Sequence, residues 1–152
     1  MSDQPRFNYV RAAAGGYKAM SALESFLHEC GLELPLIHLL KLRVSQINGC
    51  AFCIDMHWKD LRALGESEQR LYSLEVWREC NWYTERERAA LTWAEAVTNL
   101  ADGHVADDVY AEVAKQFDEK GMSNLTFVVA TINAWNRLAI AARSTPGKYR
   151  PA

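Results

Sequence analysis

The sequence lacks a long basic block, a second Cys-x-x-Cys motif and an uninterrupted apolar segment. Its formal net charge is -2, and without a basic block nucleic acid is not expected as the main partner. The longest apolar runs are broken by His, Lys or Asn before they could span a bilayer. The polar start, Met1–Arg6, does not have the pattern of a secretory signal. We therefore expect a cytoplasmic protein that does not enter a membrane.

The composition is that of a globular protein, with 49% hydrophobic and 24% charged residues. A chain of 152 residues is long enough to bury roughly 68–70% of its unfolded surface in one core. We therefore expect a single domain over residues 1–152. In a reducing compartment, four cysteines indicate reactive or buried thiols rather than structural disulfides. Cys30 and Cys80 have no local partner motif and are interpreted as small buried apolar residues.

Helix signals follow one another along the chain, and no convincing strand pair is present. Pro35 opens a helix, Gly65 ends one, and Thr84 with Glu87 forms a capping box. The β-branched segment 128–132 continues the apolar spacing of a long helix, which favours a helix over a strand. The fold class predicted is all-α. The predicted helices cover residues 17–29, 36–47, 50–64, 67–74, 84–97, 107–121 and 123–142.

Cys50, Cys53 and His57 are the most informative residues of the chain. At roughly 100° of rotation per residue in a helix, Cys53 is rotated by about 300° from Cys50, and His57 is rotated by about 700° from Cys50. All three side chains are therefore expected on one face of a helix. Two thiols and an imidazole on one face are more typical of redox chemistry than of packing.

The reactive form of such a site is the thiolate. Lowering a cysteine pKa from about 8.5 to about 6.5 requires about 2.7 kcal/mol of differential stabilisation. The first turn of a helix supplies part of it to Cys50 through free N–H groups and the macrodipole. His57 can accept the thiol proton and deliver it to a leaving group. Gly49 could leave room for a substrate and Asn48 could cap the helix, or both could serve the turn alone.

Zinc is the structural alternative for the same residues. Cys50, Cys53 and His57 would supply three ligands, and the fourth would come from Cys30, Cys80 or His38. A thioredoxin-type site is disfavoured because no preceding strand or βαβ unit is visible. We expect no resident metal or cofactor.

The segment Lys41–His57, with Ser-Gln-Ile-Asn-Gly-Cys and Cys-x-x-Cys-x₃-His, closely resembles the AhpD-like core of the carboxymuconolactone decarboxylase family. Segments 77–79, 84–91 and 132–138 resemble its peroxidase-like branch, so that the resemblance covers nearly the whole chain. It implies an AhpD-like helical fold, assembled as a trimer or hexamer. Decarboxylase members lack the cysteine pair, which makes lactone decarboxylation unexpected.

The resemblance also implies roles for the site residues. Cys53 would be the thiol that a hydroperoxide oxidises to a sulfenic acid, and Cys50 would resolve it to a disulfide. His57 would relay protons, and a dihydrolipoyl-type or other dithiol would restore the thiols. The chain departs from the pattern at His38, where the family has glutamate. Either His38 relays protons, or another acid such as Glu24 serves, or peroxidase activity is weak.

The leading prediction is a thiol-dependent hydroperoxide reductase. A general dithiol–disulfide oxidoreductase with little peroxide turnover is the alternative within the family. An alternative from another class is a redox-sensing or metal-binding interaction protein whose dithiol changes its assembly without turnover.

Overall fold

Helices make up all the regular secondary structure that the computed structural model describes, over residues 4–100 and 103–151. A short 3₁₀ helix, Leu74–Glu79, joins α5 to α6, and no strand occurs in these ranges. The all-α prediction is confirmed. The α-helices are α1 (Tyr9–Ala12), α2 (Ala14–Glu29), α3 (Leu34–Asn48), α4 (Ala51–Ala63), α5 (Glu68–Tyr72), α6 (Glu85–Thr98), α7 (Asp107–Val113) and α8 (Glu119–Ala142).

Helix α3 lies at the centre of the fold and packs against α4, α6 and α8. Pro35 lies in its first turn, where its missing N–H has no intrahelical acceptor to lose. Most of its following residues are buried, from Leu36 through Leu42, together with Val44 and Ser45. Burial on all sides is typical of a core helix. The helix therefore places even its polar residues, His38 and Lys41, inside the protein.

A tight turn at Gly49 joins α3 to α4. Gly49 has φ 69°, in the left-handed region where a Cβ is unfavourable. Its N–H bonds the carbonyl of Gln46, and the N–H of Cys50 bonds that of Ser45. These bonds satisfy the last carbonyls of α3. Gly49 is exposed, and a Cβ there would meet no atom within 4 Å. Its role is therefore in the turn, not in leaving space for a substrate.

Replacing Gly49 by alanine is expected to destabilise the protein by about 1–2 kcal/mol, because alanine must adopt the left-handed conformation. Gly16 is the matched control. It is exposed in α2, without a positive φ and with open space around it, so its replacement by alanine should stabilise by about 0.4–1 kcal/mol. Urea denaturation measures both free energies of unfolding. Equal changes in the two variants would contradict the assigned role of Gly49.

Several helix ends match the sequence signals. The capping box is present at α6, where Thr84 accepts from the N–H of Glu87 and Glu87 accepts from that of Thr84. Ser67 caps α5, although Leu74 belongs to the following 3₁₀ helix. Segment 128–132 is helical within α8, as expected. Helix α1 was not predicted.

Two boundary predictions near α8 are wrong. The predicted helix 107–121 ends at Val113, after which the chain turns and buries Phe117. Helix α8 begins at Glu119, not Ser123, because the Asp118 carboxylate caps it by accepting from the N–H of Gly121 at 2.7 Å. The Ser123 hydroxyl instead donates to the carbonyl of Glu119 at 2.8 Å, inside the helix.

Helix α8 is the one described helix that is long and apolar enough to cross a membrane. Of its most apolar window, 44% is buried inside the protein. It packs on α2, α3, α4 and α6. Its length and composition are therefore explained by the fold.

Candidate functional site: a dithiol beside a histidine cluster

The two cysteines of the motif lie at the start of α4. Cys50 is the N-cap residue and Cys53 belongs to the first turn, so Asn48, which ends α3, does not cap α4. The two sulfur atoms are 2.9 Å apart and form a hydrogen bond. Both side chains are free thiols and almost fully buried, with 1% and 3% exposure. The turn at Gly49 thus creates a close pair of reduced thiols.

The environment divides the two thiols electrostatically. The hydrogen bond with Cys53 is the main cause that lowers the pKa of Cys50 to about 7, against the effect of burial. Backbone N–H groups of Cys53 and Phe52 contribute in the same direction. The pKa of Cys53 is raised, first by its hydrogen bond with Cys50 and then by burial. Of the two thiols, Cys50 is therefore the one that ionises more readily near neutral pH.

An asparagine cluster connects the end of α3 to α8 beside the thiols. The side-chain amide of Asn48 donates to the side-chain oxygens (Oδ1) of Asn133 and Asn136, both at 2.9 Å. Asn136, which is fully buried, donates to the Ser45 hydroxyl at 3.0 Å. The side chain of Asn136 also lowers the pKa of both cysteines. The predicted role of Asn48 is thus replaced by one in positioning the turn that carries Cys50.

His57 lies one turn after Cys53 on α4 and contacts His38 of α3. Their Nδ1 atoms are 3.2 Å apart, and the exposed fractions of His57 and His38 are 6% and 8%. Burial is the main cause that lowers the pKa of both imidazoles, to about 4 for His38. Both rings are therefore neutral at pH 7. The sequence-based expectation that His38 could communicate with His57 is consistent with this contact.

Asp60, which the sequence analysis did not identify, completes the cluster. Its Oδ2 atom lies 3.5 Å from the Nδ1 atoms of both His38 and His57. Burial alone would raise its pKa, but contacts with His57 and Tyr149 and the nearby imidazoles lower it. Asp60 is thus a carboxylate at neutral pH. The His57-x-x-Asp60 spacing places both on one helix face, a signal that could have indicated Asp60.

The C-terminal segment positions Tyr149 over this cluster. The Tyr149 hydroxyl donates to Oδ1 of Asp60 at 2.6 Å. Burial, followed by the contact with Asp60, raises the pKa of Tyr149 to about 12. The backbone around it is held by Asp55, which accepts from the N–H of Gly147 at 2.9 Å, and by Lys59, which donates to the carbonyl of Tyr149 at 3.3 Å. Tyr149 therefore fixes the orientation of the Asp60 carboxylate.

Glu24, the other acid considered from the sequence, lies on the same side of the protein but has other partners. It forms an ion pair with Lys41, which is buried. It also accepts from the indole N–H of Trp135 at 2.8 Å. Its charge is largely balanced by Lys41, whereas Asp60 faces both histidines. The negative charge nearest to His57 in this arrangement is that of Asp60.

A cavity of about 660 Å³ joins these groups. Cys53, His57, His38, Asp60 and Glu24 all line it, but Cys50 does not. A substrate in the cavity would thus meet the sulfur of Cys53, while Cys50 lies behind it. The rest of the wall is mainly apolar and includes Tyr9, Phe52, Met56, Leu64, Ile132 and Trp135.

The thiols do not form the zinc site considered from the sequence. Within residues 4–100 and 103–151, the group of potential ligands close enough to hold one ion consists of His38, His57 and Asp60 and contains no cysteine. Cys30 is buried, as expected, and its carbonyl accepts from the side chain of Asn124. Cys80 is only partly buried and contacts the carbonyl of Val76.

Fold and site together define a small all-helical protein with a buried dithiol and a histidine cluster at a common cavity. The sequence profile of the carboxymuconolactone decarboxylase family matches residues 10–96, and the chain belongs to this family. The resemblance noted in the sequence is therefore confirmed.

Individual relatives agree with this assignment. The uncharacterized protein YdfG of Bacillus subtilis is 41% identical over 136 residues, covering 90% of this chain and 92% of YdfG. A crystal structure of ATU0492 from Agrobacterium tumefaciens, a protein of unknown function named as a candidate antioxidant defence protein AhpD, has a TM-score of 0.91. It is 43% identical, with coverage of 96% of this chain and 100% of that one.

A more distant structure shows the shared fold. An uncharacterized peroxidase-related protein from Ralstonia eutropha with an alkylhydroperoxidase AhpD core has a TM-score of 0.81 at 19% identity. The match covers 91% of this chain and 74% of that one. The fold of this chain is therefore AhpD-like.

Proposed function

We propose that the protein is a thiol-dependent peroxidase that reduces organic hydroperoxides with Cys53 and Cys50. The observation that supports this most directly is the position of the pair. Cys53 lies in the wall of the cavity, and a second thiol lies 2.9 Å behind it. A substrate thus meets one sulfur first, and the oxidised form of that sulfur has a partner within reach.

The reaction begins when the Cys53 thiolate attacks the outer oxygen of the hydroperoxide. The O–O bond breaks, Cys53 becomes a sulfenic acid, and the substrate leaves as an alkoxide that takes up a proton to form the alcohol. Cys50 then attacks the Cys53 sulfur, forming the disulfide and releasing water. An external dithiol, dihydrolipoyl or similar, reduces this disulfide and is itself oxidised to a disulfide.

Cys53 must lose its proton before it can attack. His57, which is neutral and follows Cys53 by one helical turn in the cavity wall, accepts this proton and becomes an imidazolium. We assign to this imidazolium the delivery of the same proton to the leaving alkoxide. In this assignment, His38 contacts His57 directly and Asp60 supplies the negative charge that an imidazolium needs nearby.

The first test is to count accessible thiols before and after one equivalent of cumene hydroperoxide. We expect rapid loss of two thiols and a Cys50–Cys53 disulfide in peptide mass spectra, which dihydrolipoamide reopens. The control is the double variant Cys50→Ser/Cys53→Ser, which keeps Cys30 and Cys80 and should lose no thiols. If the pair is inert to hydroperoxide but exchanges with disulfides, the protein is instead a general dithiol–disulfide oxidoreductase.

A further inference from the structure

Within the histidine cluster, His38 and His57 are close enough for a hydrogen bond, whereas Asp60 is farther from both. An N–H···O hydrogen bond has a donor–acceptor distance of about 2.7–3.2 Å. Asp60 Oδ2 lies 3.5 Å from Nδ1 of His38 and also 3.5 Å from Nδ1 of His57. The carboxylate oxygen is thus equidistant from both nitrogens and too far from either for a good hydrogen bond. The three atoms form a nearly equilateral triangle, whose third edge is the 3.2 Å between the nitrogens.

This triangle has the size of one face of a zinc coordination tetrahedron. With zinc–nitrogen and zinc–oxygen distances of about 2.0–2.2 Å, the ligand atoms of a tetrahedral site lie about 3.3–3.6 Å from one another. Two of the observed edges, 3.5 and 3.5 Å, lie within this range, and the third, 3.2 Å, lies just below it. An ion placed above the triangle would therefore reach all three atoms with little side-chain movement.

The surroundings of the triangle also suit a metal. The hydroxyl of Tyr149 donates to the other oxygen of Asp60 at 2.6 Å, which is the outer contact that typically orients a ligating carboxylate. Two imidazoles and one carboxylate are ligands for Zn²⁺ and its transition-metal neighbours rather than for Mg²⁺ or Ca²⁺. All three residues line the cavity, so that a fourth ligand, such as water, would come from it.

We propose that His38, His57 and Asp60 form a mononuclear site for a divalent transition-metal ion of the zinc type, with its fourth coordination position facing the cavity. Metal binding here does not require the proposed peroxide chemistry. A bound ion would occupy the Nδ1 atoms of both histidines, which contact each other and face Asp60 in the metal-free protein, so that the metal-bound form and the proposed proton relay are alternative states of the same residues.

The test is titration of the full, metal-stripped protein with Co²⁺ and then Zn²⁺. Co²⁺ should bind with a stoichiometry of one, give the visible d–d bands of a tetrahedral site without the near-ultraviolet band of thiolate ligands, and be displaced by Zn²⁺. The double variant Cys50→Ser/Cys53→Ser should bind equally well. Asp60→Asn and His38→Gln should each weaken binding at least about 100-fold, since loss of an outer contact alone costs about 10–100-fold.

Two further variants guard against misfolding as an explanation. Tyr149→Phe removes only the hydroxyl that holds Asp60, and should weaken Co²⁺ binding about 10-fold or more. His28→Gln removes an imidazole that lines the same cavity, with its ring centre 6.1 Å from that of His38, and should leave binding unchanged. Absence of binding, or binding lost with the cysteines and retained in Asp60→Asn and His38→Gln, would overturn the proposal.

Discussion

Replacing Cys53 by serine is expected to lower hydroperoxide turnover about 10³-fold or more, the scale of loss seen when an enzyme loses its nucleophile. Cys53 is the cysteine of the pair that lines the cavity, so the first sulfur–oxygen bond should form there. Cys50→Ser should also stop turnover, but after a single oxidation that leaves a sulfenic acid on Cys53. Peroxide consumption measures the loss of turnover in Cys53→Ser. Trapping with dimedone, followed by peptide mass spectrometry, locates the sulfenic acid in Cys50→Ser.

These two variants show which thiol attacks the hydroperoxide, a question on which two properties of the site disagree. Cys53 is the thiol that a substrate in the cavity can reach. Cys50 is the thiol that ionises more readily, because its pKa is lowered to about 7. If Cys53→Ser retains turnover or accumulates a sulfenic acid on Cys50, then Cys50 is the attacking thiol. Cys80→Ser is the matched control, because Cys80 is partly exposed and has no contact with the pair; its turnover should be unchanged.

The dithiol was predictable from the sequence because it is local. Cys-x-x-Cys after Asn-Gly specifies a turn followed by the start of a helix, and the structure shows this arrangement at Gly49 and Cys50. The helix ends near residue 118 were less predictable. Asp107 and Ser123 carry cap-forming side chains like Asp118, but of the three only Asp118 is the N-cap of a helix in the structure.

The histidine cluster depends on tertiary packing that the sequence pattern does not contain. His38 and Asp60 belong to different helices, and Tyr149 lies 89 residues after Asp60 in the chain. Glu24 was a reasonable candidate by composition, but the buried Lys41 is its ion-pair partner. The departure at His38 indicated that an acid other than the family glutamate had to be sought, and in the structure Asp60 lies 3.5 Å from His38.

Replacing His57 by glutamine is expected to slow reduction of alkyl hydroperoxides about 10²–10⁴-fold, the usual effect of losing a general acid or base. Glutamine keeps a polar side chain of similar length but cannot deliver a proton to an alkoxide. Turnover should be measured with a chelator present, so that the loss reports proton transfer and not metal binding. His28→Gln, in the same cavity, is the control and should change the rate less than threefold.

The leaving group distinguishes proton delivery from structural damage. An alkyl hydroperoxide releases an alkoxide that needs a proton, whereas peracetic acid releases acetate, which is stable as an anion. If His57 acts as the acid, His57→Gln should be much less impaired toward peracetic acid than toward cumene hydroperoxide. Asp60→Asn should show the same selectivity with a smaller loss, because Asp60 acts through His57. Equal losses with both oxidants would mean that His57 supports the fold of the cavity and does not transfer the proton.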